Sequence, residues 1–157
     1  MKITILAVGK TTTPYIREAT ADYLRRISHY LPAEFVTVAD ARATRSLSEA
    51  QQKEREADAI LAAVQPSDRV VLLDERGREL TSREFADTTG RLMASGLRRL
   101  VFVVGGPYGF AQRVYDRADS KLSLSRMTFS HEMVRLFFAE QLYRAQTILR
   151  GEPYHHD

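Results

Sequence analysis

Residues 100–131 read LVFVVGGPYGFAQRVYDRADSKLSLSRMTFSH, and this stretch decides the fold. Five apolar residues, Leu100 to Val104, run directly into Gly105-Gly106-Pro107-Tyr108-Gly109. A short, wholly apolar run is the pattern of a strand covered on both faces of a parallel sheet. Open α/β sheets hold their ligands where such a strand ends in a glycine-rich turn, so the turn is read as the floor of a small-molecule site. Two adjacent glycines there let the backbone come close to a neighbour. Phe110, Val114 and Ala118 follow four apart, on one face of a short helix. Leu122 to Leu124 reads as a short fifth strand. The whole run 122–131, LSLSRMTFSH, has neither a clean helical nor a clean strand period.

Upstream, strands alternate with helical patterns. Residues 2–8 (KITILAV) form a buried first strand that ends at Gly9. Thr13-Pro14 has the pattern of an N-cap followed by proline at the first helical position. Ile16, Ala19, Tyr23, Leu24 and Ile27 then recur at helical spacing through about Ser28. A second strand spans roughly 33–38, and 40–46 is a loop whose Arg42 and Arg45 are candidate phosphate contacts. Ser46 and Glu49 match a capping box before a second helix with the inward stripe Leu47, Ala50, Ala57, Ile60, Leu61 and Val64. Val70 to Leu73 is the third strand, ending in Asp74-Glu75-Arg76-Gly77. Thr81 and Glu84 match a second capping box, and Phe85, Leu92 and Met93 carry that helix toward Gly96. If strands three and four are neighbours, Leu73-Asp74 and Gly105 open into one crevice.

Downstream, a long helix runs from about Ser130 to Leu149 with Val134, Phe137, Phe138, Leu142, Ala145, Ile148 and Leu149 apolar. That face is wider than one packing stripe needs and predicts two packing surfaces, the sheet and another. Gly151 ends the helix, and Glu152-Pro153-Tyr154-His155-His156-Asp157 closes the chain. The alternation predicts an α/β fold: a mostly parallel sheet with helices on both faces.

At 157 residues, the chain reads as a single domain, 1–157. With 44% hydrophobic and 27% charged residues it can bury a core. The absence of cysteine excludes a disulfide framework, a zinc-thiolate site and thiol nucleophiles, and fits a reducing compartment. No metal site is expected. The apolar run at the N-terminus is too short for a signal segment or a membrane span. A net charge of +3 mildly favours a polyanionic partner. Gly9-Lys10-Thr11 looks like the end of a phosphate loop, but the required earlier glycine is Thr4. Gly105-Gly106 and Gly109 lack the dinucleotide spacing and follow the fourth strand rather than the first.

Assembled, these residues resemble the RlmH family, a small branch of the SPOUT methyltransferases, over essentially the whole chain. The matching motifs are LAVGK at 6–10, YLRRI at 23–27, LLDERG at 72–77, VVGGPYG at 103–109, LSLSRMTFSHEMVRLFFAEQLYRA at 122–145 and RGEPYHH at 150–156. The resemblance implies a deep C-terminal trefoil knot, a feature that general topology rules disfavour. It implies a homodimer in the cytoplasm that uses S-adenosyl-L-methionine to methylate N3 of pseudouridine 1915 of large-subunit ribosomal RNA, within the 70S ribosome. The implied cofactor contacts are Leu73, Gly105 and the knot loop Leu124, Ser125, Arg126, Met127, Thr128 and Phe129.

A sulfonium methyl is already activated, so the enzyme must align the acceptor nitrogen and manage the N3 proton. Deprotonated N3 shares its charge with two carbonyl oxygens, which donors or cations stabilise. The candidates for this work are Tyr154, His155 and Arg135, with His155 as general base in the sharpest version. Close relatives usually carry lysine or arginine after Tyr-His, where this chain has His156, a group mostly neutral at pH 7. A pair of final helices packed across a two-fold axis is expected to bring one subunit's tail to the other's cofactor pocket. The alternatives are a non-enzymatic ribosome-binding or assembly factor and a tRNA methyltransferase of the same fold.

Overall fold

A computed structural model of the chain describes residues 1–40 and 46–156. Arg42 and Arg45 lie outside the described residues. The elements run β1 (Lys2–Val8), α1 (Pro14–Ile27), β2 (Ala33–Val38), α2 (Glu49–Ala63), β3 (Arg69–Glu79), α3 (Ser82–Ala94), β4 (Arg99–Val104), α4 (Gln112–Arg117), β5 (Ser120–Ser123) and α5 (Met133–Arg150). One five-stranded sheet has the order β2-β1-β4-β3-β5, and all four pairings are parallel.

Period-two alternation builds a core on each face of this sheet. Ile3, Ile5 and Ala7 of β1, with Leu100, Phe102 and Val104 of β4, pack with Phe85, Phe138, Ala139 and Leu142 from α3 and α5. Leu6, Val8, Val101 and Val103 point the other way, onto Ala57, Ile60, Phe110 and Val114. The first face holds a ring cluster in which Phe138 lies 4.6 Å from Phe102 and 6.0 Å from Phe85. Phe138 and Leu142 are fully buried, and each such side chain contributes about 1.5–3 kcal/mol.

Helix α5 packs between α1 and α3. Much of its wide apolar face is therefore used inside the chain, and Phe137 and Leu149 remain exposed. Several boundaries differ from the sequence reading, and β5, expected over Leu122 to Leu124, spans Ser120–Ser123. The capping box of α2 is Ser48 with Gln51, two residues later than Ser46 with Glu49, so Leu47 precedes the helix and Ala50 is exposed. Helix α5 starts at Met133, whose N–H is held by Ser130 Oγ at 3.1 Å. Strand β3 continues to Glu79, past the expected end at Leu73.

That last extension is interrupted. Leu73 pairs with Leu122 of β5, and so does Arg78, so residues 74–77 bulge out between two contacts with one partner. Gly77 makes the bulge possible, because a Cβ there would lie 2.6 Å from the Leu122 backbone N and C. The Thr81–Glu84 capping box is present as read, with both hydrogen bonds formed.

Candidate active site

The strand order brings three C-terminal ends together. Leu73 is in register with Val104 on one side and with Leu122 on the other. Val104 leads into Gly105, and Leu122 leads into the loop 124–132. The crevice expected between strands three and four is thus present, with β5 as its third wall. A cleft of about 700 Å3 opens there, a size that suits a nucleoside-sized ligand.

Local chemistry shapes each wall. The turn Gly106-Pro107-Tyr108-Gly109 closes with Gly109 N–H donating to Gly106 O at 3.2 Å, and Gly109 has φ +79°. Pro107 takes the second turn position, which its fixed φ favours. Gly105 and Gly106 are needed for packing behind the turn: a Cβ on Gly105 would meet the Phe110 ring at 3.0 Å, and one on Gly106 the buried Glu56 carboxylate at 3.0 Å. The close neighbours expected of these glycines are therefore parts of the protein itself. The loop after β5 is pinned by its serines. Ser123 Oγ donates to Ser125 O at 3.0 Å, and Ser125 Oγ accepts from Met127 N at 2.9 Å. These side chains take over hydrogen bonds that a regular element would make internally, which explains the missing periodicity of LSLSRMTFSH.

Seven of the eight expected cofactor contacts line this cleft: Leu73, Gly105, Leu124, Ser125, Met127, Thr128 and Phe129. Arg126 is the exception. Its side chain is 90% exposed and its Nε lies 3.8 Å from Glu79, so only its backbone belongs to the loop. Asp74 lines the cleft as expected of the crevice, whereas Tyr115, His131 and Val134 also line it and were not expected there. Tyr115 Oη donates to Asp74 Oδ2, and Asp74 Oδ1 accepts from Arg76 N at 2.8 Å. Burial and the Asp74 carboxylate push the Tyr115 phenol up to about 12, so it stays a donor. The LLDERG motif marked Asp74, but nothing in the local spacing pointed to its partner on α4.

The three expected catalytic residues lie elsewhere in the chain. Arg135 is fully buried. Its guanidinium donates to Val8 O at 2.8 Å, Gly9 O at 2.9 Å, Thr11 Oγ1 at 2.9 Å and His131 O at 3.2 Å. So engaged, it is a positioning residue between α5 and the end of β1, and it does not face the cleft. Tyr154 and His155 fold back on α1 and α5. Tyr154 Oη donates to Glu140 Oε1 at 2.9 Å, and its ring meets Tyr143 edge-on at 4.7 Å. Burial and the bonds to Tyr23 and Glu140 push its pKa well above that of an ordinary phenol, so it carries its proton. His155 Nδ1 lies 3.1 Å from Arg144 Nη1. A guanidinium only donates, so Nδ1 accepts and Nε2 bears the hydrogen of the neutral ring. In this arrangement neither residue presents a free base, and neither lines the cleft of its own chain.

The cleft residues fit S-adenosyl-L-methionine. Leu73, Leu124, Met127 and Phe129 offer apolar walls, and Asp74 and Glu75 set carboxylates beside a site that would hold a cationic sulfonium. No group of side chains among the described residues could hold a metal ion. No helix among them is long and apolar enough to cross a membrane.

Known proteins resemble this chain over its length. A family described as predicted SPOUT methyltransferase matches residues 1–155. A protein of Parabacteroides distasonis named ribosomal RNA large subunit methyltransferase H is 53% identical over 157 residues, covering 100% of both chains. Proteins of the same name from Porphyromonas gingivalis and Bacteroides thetaiotaomicron are 54% and 50% identical over 157 residues, again covering 100% of both chains.

Proposed function

We propose a function from the premise that this chain belongs to the SPOUT methyltransferase family: it is an S-adenosyl-L-methionine-dependent ribosomal RNA methyltransferase. Its acceptor is N3 of pseudouridine 1915 of the large subunit, reached in the assembled ribosome, and its working form is a cytoplasmic homodimer. The family implies a C-terminal knot, with the loop 124–129 as its cofactor-binding part. One observation carries the reading: the cleft at the ends of β3, β4 and β5 gathers seven of the eight residues that the family resemblance implies for the cofactor.

The bound cofactor supplies an electrophilic methyl group. Leu73, Leu124 and Phe129 would pack against it, and the turn 105–109 lines the same cleft. Asp74, oriented by Tyr115 and by the Arg76 N–H, favours the cationic cofactor over its neutral product. The N3 proton and the resulting anion are handled by the tail of the second subunit. Tyr154 then serves as a donor to a pyrimidine oxygen, and Arg144 as the cation behind it, its guanidinium carbon 4.8 Å from the Tyr154 ring. His155 becomes a base only after its Nδ1 leaves Arg144.

The test is methyl transfer from labelled S-adenosyl-L-methionine to 70S ribosomes from a strain lacking this modification, with free ribosomal RNA and tRNA as parallel acceptors. Incorporation at N3 of that pseudouridine in ribosomes alone is the expected result. Incorporation into tRNA, or cofactor binding with no transfer to any acceptor, would replace the reading with one of its alternatives.

A further inference from the structure

Gly9-Lys10-Thr11 is not part of a phosphate loop, yet the structure fastens its surroundings from 120 residues away. Arg135 bonds the carbonyls of Val8 and Gly9 and the hydroxyl of Thr11. Glu132 accepts from Thr12 N and Thr12 Oγ1, both at 2.8 Å, and from Thr13 N at 3.0 Å. Among residues 8–13, Lys10 alone takes part in none of these bonds. It is exposed and meets no carboxylate among the described residues. Tyr15, the second residue of α1, is 67% exposed, against 45% for Tyr108. An exposed connection does not need this many braces unless its shape matters.

Its place in the fold shows what the shape is for. The loop leaves β1 at the same sheet edge as the cleft, since Ala7 is in register with Val104. The braces come from Glu132 and Arg135 at the start of α5, and the neighbouring His131 and Val134 line the cleft. The Glu132 carboxylate already occupies the approach to α1, bonded to the amides of Thr12 and Thr13 just ahead of the helix, so an anion arriving here is met by the lysine and not by the helix end.

We propose that Lys10 and Tyr15 seat the RNA strand that carries the acceptor, Lys10 on a backbone phosphate and Tyr15 stacked on a base. The proposal rests on the ribosomal RNA reading above and deepens it. The brace holds both groups before the RNA arrives, so little ordering is lost on binding. A lysine on a phosphate adds affinity that falls with salt, and a tyrosine on a base adds affinity that does not depend on its sequence.

The experiment measures methyl transfer to 70S ribosomes over a range of salt concentrations for wild type, K10A, K10R, Y15A and Y15F. K2A is the control, because Lys2 carries the same charge at the opposite sheet edge, paired with Glu34. K10A is expected to raise KM for ribosomes with kcat and cofactor Kd unchanged, and to lower the salt slope by about one. K10R restores both, and K2A leaves both at wild-type values. Y15A is expected to raise KM about tenfold, while Y15F keeps the wild-type value. A K10A slope equal to that of wild type overturns the proposal. So does a loss of cofactor affinity in K10A, or a Y15A protein whose sedimentation shows an altered oligomer. If wild type transfers no methyl, the function above fails separately, and cosedimentation with ribosomes over the same salts still reads the Lys10 slope.

Discussion

Gly77 shows how one missing atom sets the shape of the cleft. Its Cα faces the Leu122 backbone, where a Cβ would come within 2.6 Å of two main-chain atoms. Real Cβ atoms do not tolerate that distance, and neither side can yield without moving a strand. The bulge 74–77 depends on this approach, and the bulge carries Asp74 to the cleft floor beside Tyr115. G77A is therefore expected to destabilise the protein by about 1–3 kcal/mol, the usual range for overpacking, and to weaken cofactor binding as well. Thermal melts and cofactor titration of the same sample check both. A lowered Tm with unchanged cofactor Kd would show that the bulge does not shape the site. Gly105 and Gly106 teach a related lesson. Their sequence invites a ligand explanation, but the atoms that exclude a Cβ belong to Phe110 and Glu56. No sequence pattern distinguishes a glycine that faces a ligand from one that faces the protein's own interior.

Helix caps divide the readable elements from the unreadable ones. Thr81 and Glu84 satisfy each other within a single turn, so four residues of sequence were enough to place the start of α3. Ser46 with Glu49 fits the same pattern, but Ser48 with Gln51 wins two residues later. Helix α1 is harder still. Thr13 occupies its N-cap with no side-chain bond, and Glu132, the residue before α5, holds the amides of Thr12 and Thr13 at the entry to the helix. Pairing across 119 residues leaves no local trace. The strands and helices were legible because burial imposes a period, whereas the Glu132 and Arg135 braces depend on which distant ends meet. The Thr13 and Thr12 amides hold the Glu132 carboxyl below the usual carboxylate range. A depressed carboxyl stabilises the fold fully above the unfolded value, about 4.3, and loses that contribution as pH falls through the lower folded value. E132A is thus expected to cost about 1 kcal/mol at pH 7, as for lost N-caps generally. The gap from wild type should close as the pH falls below about 4. Denaturant titrations at several pH values measure it, and a gap independent of pH would remove the role of the charge.

The whole molecule presents a cleft and a tail that do not meet. Tyr154, His155 and Glu152 are bound to α1, α5 and the turn after α1, with Tyr30 donating to Glu152 and Tyr154 to Glu140. Glu140 in turn lines a hollow of about 310 Å3 on the other side of Leu124 and Phe129 from the cleft. Phe137 stands exposed beside that hollow, its ring 5.1 Å from Phe129. The broad apolar face of α5 is a weaker argument for a partner than its sequence suggested, since α1 and α3 cover much of it. The stronger argument is geometric: the cleft residues and the polar tail residues lie apart on one chain, as the two halves of a composite site would, and a two-fold axis could bring each cleft to the opposite tail. Mixed dimers test this directly. One variant, L124R, blocks the cleft, and a second, Y154A with H155A, strips the tail, so each homodimer should be inactive. If each site combines a cleft from one subunit with a tail from the other, a mixed dimer holds one site damaged twice and one site intact. Random exchange makes half of the dimers mixed, so activity should return to about a quarter of wild type on a per-site basis. Native mass spectrometry confirms the exchange. No recovery in an exchanged sample would mean that cleft and tail must come from one chain, and the tail would then have to leave Glu140 and Arg144 to reach its own cleft.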